Sequence, residues 1–404
     1  MTMKRKTIWV ISPFSNPFLD IESDRYKYIC SVIHENNFKV INFVSSFDHH
    51  KKKQKSYNGK CKWIIVNVYE PGYIKNVSIS RIISHFIFNL SLPICFFYAI
   101  LKYGLPKSIF CAIPHNGSAI ISYFFGKIVN ATVVVDIHDT WPESVLSIHN
   151  LNYITKIIYS VLFKIESLAI YLPDYVFAES QKYADRANSI RVGSSKSSAQ
   201  PILLGGNINY YNLKDNAERI EIPFNLDRFI IAYSGNLGIN NDLDCIIKAF
   251  NRFNNEYKDS LLLFIGAGER EEEIKQIIQE NNLDAFVTGR VSYSLLVDLL
   301  KISNVGLNSF KVGGNVAYSY KINDYFLCGL PVINSLHGEV AQYINQFKLG
   351  WNYLAGDVDS LYDAMVCSYI NFNSNEKNTT QLNQFVSTKL NRDVTYRPIL
   401  KALT

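Results

Sequence analysis

Residues 315–339 read NVAYSYKINDYFLCGLPVINSLHGE, and the order of elements within them decides the fold. A polar loop entered through glycine leads into a short helix, whose Lys321 and Asp324 stand three residues apart and so share a face. Gly329 suits the left-handed position just past a helix end, and Pro331 follows where the helix cannot continue. An apolar strand at Val332 and Ile333 comes next, and the loop His337-Gly338-Glu339 opens another helix. A cation and a carboxylate at the edge of a strand–helix unit, with helix N-termini nearby, suit a phosphorylated, hydroxyl-bearing ligand. The same residues also fit a solvated helix face, and this stretch alone leaves both readings open.

Composition narrows the classes. With 404 residues, 48% hydrophobic and 19% charged, the chain is a folded globular protein long enough for two domains. The net charge of +6 is uneven: residues 1–190 hold 21 Lys+Arg against 13 Asp+Glu, leaving the second half slightly acidic. A basic first half expects an anionic partner. Nucleic acid is not expected, because no Arg-rich helix or zinc spacing is present. The seven cysteines are scattered singly in apolar contexts, which reads as reduced thiols in a cytosolic compartment. The apolar run after MTMKRK ends at Ser12 and Pro13, too short for a signal-peptide core.

Taken in order, residues 7–11 form a buried strand, Ser23 and Asp24 cap a helix, and residues 39–44 form a second strand. This β-loop-α-β pattern opens a parallel, doubly wound α/β sheet. The loop lacks GxGxxG, which disfavours a nicotinamide-dependent enzyme. His49 to Lys53, with Lys55, Lys60 and Lys62, make a basic loop that is either solvated or faces anionic lipid. Residues 81–102 are almost wholly apolar but contain His85, Asn89 and a central Pro93. They are expected as two helical segments, partly core and partly an apolar edge able to dip into a bilayer surface. Strands at 108–113 and 132–137 flank a helix at 119–128, and the second strand runs into DIHDTWPES. There His138 offers a pH-responsive donor and Asp139 a carboxylate to orient it. A long helix at 151–172 and strands at 173–180 and 201–204 complete the first half, and 216–227 reads as an interdomain linker.

A second cycle begins with a strand at 229–233 and the turn Ser234-Gly235-Asn236-Leu237-Gly238. Another strand, 261–265, ends in Gly266-Ala267-Gly268-Glu269, followed by Phe286 to Val291 and a strand at 305–307. Glycines at strand-to-helix turns let backbone N–H groups approach a phosphate closely.

With YKINDYFLCGLPVINSLHGE, SGNLG, FIGAGE, TGRV, VGLNSF, DIHDTWPES, PDYVFAES and GGN in view, the chain resembles glycosyltransferase family 4, in its bacterial surface-polysaccharide (O-antigen and capsule) branch. The resemblance implies a GT-B fold, two facing Rossmann-like domains with a cleft between them. It implies an acceptor domain at 1–215, a nucleotide-sugar domain at 216–380, and a C-terminal helix at 381–404 that packs back on the first domain. His138 and Asp139 match the reacting face of the acceptor domain. Gly235, Asn236 and Gly238 match the loop beneath the donor diphosphate, Gly266 and Gly268 the next strand end, and Arg290 and Val291 the segment beside the base. Asp324 matches the second acid of the ribose-binding pair, Lys321 a phosphate partner, and Glu339 the acid opening the following helix. Tyr318 and Ser319 complete the donor set. Two positions depart from the pattern: Val316 stands where the first acid falls, and Ile239-Asn240-Asn241 occupies the place of a usual cation.

The implied activity is retaining transfer of a hexosyl or N-acetylhexosaminyl group from a nucleotide-sugar, expected to be a UDP-sugar. The acceptor is a lipid-diphosphate-linked saccharide, and the enzyme lies on the anionic inner face of the cytoplasmic membrane without needing a metal. The departures keep a second class open, a non-catalytic nucleotide-sugar-binding or scaffold subunit of a polysaccharide assembly.

Overall fold

The computed structural model describes residues 6–16, 24–49, 51–55, 61–75, 78–141, 153–212, 225, 227–239, 241–313, 316, 318–373 and 379–404. The chain divides into two compact units, Met1–Leu203 with Tyr396–Thr404, and Leu204–Thr395. The division falls earlier than the expected 215/216, and only residues 396–404 of the expected terminal segment belong with the first unit. Buried arginines explain both points. Arg25 donates to the carbonyls of Ile202 and Leu203 and lies over the Tyr396 ring, tying those residues into unit 1. Arg392 donates to the Leu204 carbonyl, and Gly206 bridges to Asn391, closing unit 2 on itself. The expected linker, apart from Asn225 and Asp227, lies outside the described residues.

Unit 1 is built on β1 (Thr7–Ile11), β2 (Lys39–Ser45), a small hairpin of β3 (Phe47–Asp48) and β4 (Lys53–Gln54), then β5 (Ile64–Val68), β6 (Ser108–Ile113), β7 (Thr132–Ile137), β8 (Tyr175–Ala178) and β9 (Gln200–Pro201). The strand expected at 201–204 is thus only Gln200–Pro201, because the following carbonyls turn to Arg25. The main sheet runs β5-β2-β1-β6-β7-β8-β9, parallel throughout. The continuous apolar runs of β1, β6 and β7 follow from this order, since central strands of a parallel sheet are covered on both faces. The covering helices include α1 (Arg25–Glu35), whose Asp24 side chain accepts from the amides of Tyr26 and Lys27. Next come α2 (Ile79–Tyr103), α3 (Asn116–Val129), α4 (Tyr153–Tyr171) and α5 (Gln181–Ile190).

Helix α2 corrects the expectation of two segments: it is continuous through Pro93. A proline inside a helix costs about 3 kcal/mol. Phe88, Leu92, Phe96 and Ala99 bury against the sheet, and a buried large apolar side chain contributes about 1.5–3 kcal/mol. The packed face therefore outweighs the proline, which sits on the exposed side. The basic loop also differs from a purely solvated run. Lys55 donates to the carbonyls of Pro13 and Ser15, and burial lowers its pKa to about 8.

Unit 2 contains α6 (Ile208–Asn212), β10 (Phe229–Ser234), α7 (Leu243–Glu256), β11 (Ser260–Ile265), α8 (Glu271–Glu280), β12 (Ala285–Val287), α9 (Tyr293–Lys301) and β13 (Val305–Asn308). It continues with α10 (Tyr320–Leu327), β14 (Val332–Asn334), α11 (Glu339–Phe347), β15 (Gly350–Asn352) and α12 (Val358–Asn373). The sheet order, β12-β11-β10-β13-β14-β15, is the doubly wound order with its reversal between β10 and β13. Both units are therefore Rossmann-like α/β layers with parallel sheets.

Candidate active site

In a doubly wound sheet the carboxyl ends of the two strands at the reversal diverge and leave a crevice. Here β10 and β13 pair only at Ile231 with Val305 and Ala232 with Gly306. Beyond that, the Tyr325 hydroxyl enters between the strands. It accepts from the Ser234 amide at 2.8 Å and donates to the Leu307 carbonyl at 3.0 Å. Gly306 makes room, since a Cβ there would stand 2.5 Å from the Tyr325 ring. Tyr325 is thus a wedge carried by α10, one residue after Asp324 and four after Lys321.

The two glycine turns interlock at this edge. Gly235 donates to the Ile265 carbonyl, Leu237 to the Ala267 carbonyl, and Arg270 back to Leu237. Gly266 holds φ +147°, and a Cβ on it would lie 2.0 Å from the Gly235 oxygen; one on Gly268 would lie 2.4 Å from the Leu237 oxygen. These glycines are required first by loop-on-loop packing. Asn236 is pinned by its carbonyl, which accepts from the Tyr233 hydroxyl and the Asn241 side chain, and Gly238 accepts from the Asn241 amide. Gly235, at φ +124°, faces Lys321: its absent Cβ would be 3.8 Å from Nζ.

Lys321 is the charge at this crevice. Its ammonium lies 4.2 Å from the Tyr233 ring centroid and 4.9 Å from that of Phe310, and donates at 3.3 Å to Asn241 Oδ1. Among the described residues it has no carboxylate partner, and burial lowers its pKa to about 7. Arg270, the cation after the second glycine turn, is instead engaged by Asp244 and Glu273.

Asp324 shares the helix with Lys321 but not its surroundings. Its Oδ1 accepts from the hydroxyls of Tyr211 at 3.0 Å and Tyr293 at 2.6 Å, and those two hydroxyls also contact each other. Burial raises its carboxyl to about 6, while the tyrosine hydrogen bonds oppose the rise. The expected ribose acid is therefore already ligated through one oxygen, leaving Oδ2 without a hydrogen bond among the described residues. Gly289, just before Arg290 and Val291, bridges to Gly266; Arg290 is exposed, with no ion-pair partner among the described residues, and Val291 is half-buried. Tyr318 is buried, its hydroxyl bonded to Asn323, and Ser319 caps α10 without a side-chain bond. Glu339 opens α11 and accepts from the Tyr343 hydroxyl. A cavity of about 520 Å³ in this unit, lined by Lys301, Asn304, Pro331 and Trp351, lies at the amino ends of β13–β15, the edge away from the glycine turns.

In unit 1, His138 follows β7. Its Nδ1 lies 2.9 Å from Glu179 Oε2 and its Nε2 3.7 Å from Asp136 Oδ2. Asp136 is itself fixed by a bidentate Arg25 at 2.8 and 2.9 Å. A carboxylate that orients His138 is therefore Glu179, and the expected Asp139 is half-buried next to it in the chain. Glu179 was missed because it lies 41 residues on; the signal was PDYVFAES, a parallel strand ending at the same edge, paired Ile137 to Ala178. Glu143 and Ser144 lie outside the described residues.

Residues 214–366, less than half of the chain, match the family described as "Glycosyl transferases group 1". No curated protein sequence matches the chain. Among solved structures, it is similar to sucrose-phosphate synthase from Thermosynechococcus elongatus (TM-score 0.70, 16% identity, 98% of this chain and 100% of that one). Anabaena HepE in complex with UDP has a TM-score of 0.67 at 11% identity, covering 98% and 99%. WaaG, described as a glycosyltransferase involved in lipopolysaccharide biosynthesis, has 0.63 at 11%, covering 98% of both. The fold is that of the GT-B glycosyltransferases, and the family match over unit 2 supports a glycosyltransferase.

Proposed function

We propose that the chain is a retaining glycosyltransferase of the family 4 type that moves a hexosyl or N-acetylhexosaminyl group from a UDP-sugar to a lipid-diphosphate-linked saccharide, in O-antigen or capsule synthesis. The observation that carries this reading is Lys321: a half-buried ammonium beneath a glycine turn, with no carboxylate partner among the described residues, suits an anion. The donor's anomeric carbon–oxygen bond breaks, the acceptor oxygen bonds the same face of that carbon, and the acceptor proton passes to the leaving diphosphate. Charge on that diphosphate is met by Lys321 and backbone N–H groups rather than by a metal ion. His138, held through Nδ1 by Glu179, orients the sugar or acceptor hydroxyl. Anabaena HepE in complex with UDP supports the choice of nucleotide.

Membrane attachment at the cytoplasmic face rests on α2. The helix is long and apolar enough to cross a membrane, yet one face is buried in unit 1. The other carries Ile79, Ile83, Phe86, Leu90, Ile94, Phe97 and Leu101 at spacings of three or four, each more than half exposed. Such a stripe lies in the plane of a bilayer surface. The second reading, a nucleotide-sugar-binding scaffold subunit, is favoured by Val316 and by the ligation of Asp324 to two tyrosines. One assay separates them. Purified protein is incubated with UDP-, GDP- and dTDP-sugars on anionic vesicles carrying lipid-diphosphate saccharide. Transfer or donor hydrolysis, with vesicle binding lost in F86E/F97E, is expected; nucleotide-dependent stabilisation without turnover favours the scaffold.

A further inference from the structure

Glu70, His85 and His115 come from three separate elements: the segment after β5, the first turns of α2, and the residue before α3. One carboxylate oxygen and one ring nitrogen from each histidine all lie within 4.8 Å of one another, and all three residues are buried. Glu70 is held in place, with Oε2 accepting from Ser45 and Oε1 from Ser84. His85 Nε2 is 3.9 Å from Glu70 Oε1, beyond hydrogen-bond reach, and has no other partner among the described residues. Neither ring nitrogen of His115 has one either, although the residue is only 1% exposed.

Such a histidine is costly to bury, because buried polar atoms are nearly always satisfied. Phe14 and Phe88 wall it in, with ring centroids 5.1 and 4.8 Å away, and the His85 ring lies at 4.1 Å. Two imidazoles and one carboxylate form a donor set for zinc-like ions, and three protein ligands leave one position for water. Zinc bonds of about 2.0–2.2 Å put ligand atoms about 3.3 Å apart, so small side-chain rotations complete the site. Arg81, stacked over Tyr73 and Trp141, adds positive charge that opposes a cation, and the Glu70 carboxylate offsets it. Burial, with Arg81 adding to it, lowers the pKa of both imidazoles and so favours the neutral form that ligates.

We propose that Glu70, His85 and His115 bind one divalent transition-metal ion of the zinc class at the carboxyl edge of the unit 1 sheet. The ion joins the segment after β5 to α2 and α3, and belongs to a different unit from Lys321. The test uses untagged, full-length protein stripped with EDTA and titrated with Co²⁺ and then Zn²⁺. Expected are one Co²⁺ per chain with the visible bands of a nitrogen–oxygen site, displacement by Zn²⁺, and a Zn²⁺-dependent rise in Tm. H115A and H85A should each weaken binding at least about tenfold, with H138A binding as the unmutated chain does. H115Q, which retains volume, serves if H115A fails by circular dichroism. Absence of stoichiometric Co²⁺ binding to the unmutated protein overturns the proposal. So does binding that survives both histidine variants, or stabilisation by inorganic phosphate in place of Zn²⁺, which would make the cluster an anion pocket built on Arg81.

Discussion

Both sheets reverse direction in the same way, with their first strand beside their fourth, yet the two reversal points carry opposite chemistry. In unit 2 the strands β10 and β13 are wedged apart, glycine lines the gap, and a lone ammonium sits beneath it. In unit 1 the corresponding ends of β1 and β6 are filled by the rings of Phe14 and His115, in contact at 5.1 Å. Its polar machinery lies one strand further on, where Arg25 pairs with Asp136 and Glu179 with His138 Nδ1. Topology chooses where a ligand can enter; side chains choose which ligand. An open, cation-bearing crevice suits a diphosphate. A ring-filled crevice flanked by a braced imidazole suits a neutral hydroxyl-bearing molecule.

That contrast can be broken experimentally. K321M removes the only charge assigned to the diphosphate, so kcat/KM for the donor should fall by about 10²–10³ and UDP affinity with it. Unchanged UDP affinity by calorimetry would erase the difference between the crevices. H138A should lower transfer by about 10² while leaving UDP affinity within twofold; a matching loss of UDP affinity would assign it to the donor. The smallest effect is a pH slope. Lys321 has its pKa lowered to about 7 in the folded chain, and a bound diphosphate raises it again. UDP affinity should therefore be highest below pH 7 and weaken by up to about tenfold per unit above it. K321R, charged at every accessible pH, should flatten the profile. For folding the sign is opposite: a lowered lysine pKa destabilises the folded chain below pH 7, and the penalty fades as pH rises toward 10.5.

Much of the fold could be read from residues alone. The bounds of β1, β6 and β7 fall where their apolar runs begin and end, and Asp24 caps α1 as its position implies. Local patterns carry such information because they are satisfied locally. Pro93 misled because its local penalty is outweighed by packing partners far away in sequence. At the site, Lys321 and the glycines were legible, whereas the partners that define their roles were not. Tyr211 and Tyr293 reach Asp324 from 113 and 31 residues away, and Glu179 reaches His138 across a strand crossover. Gly266 and Gly268 looked like ligand contacts, but the backbone of the other turn already occupies the space their side chains would take.

The wedge has a consequence for how this protein can vary. Tyr325, which holds the strands apart, and Lys321, which fills the opening, sit one helical turn apart on α10. A single-residue insertion or deletion between them rotates one relative to the other by about 100°. The gap and its charge would then be lost together, so this turn tolerates substitution far better than a change in length. Libraries that aim to alter donor choice should hold residues 321–325 at constant length and vary the loops around them.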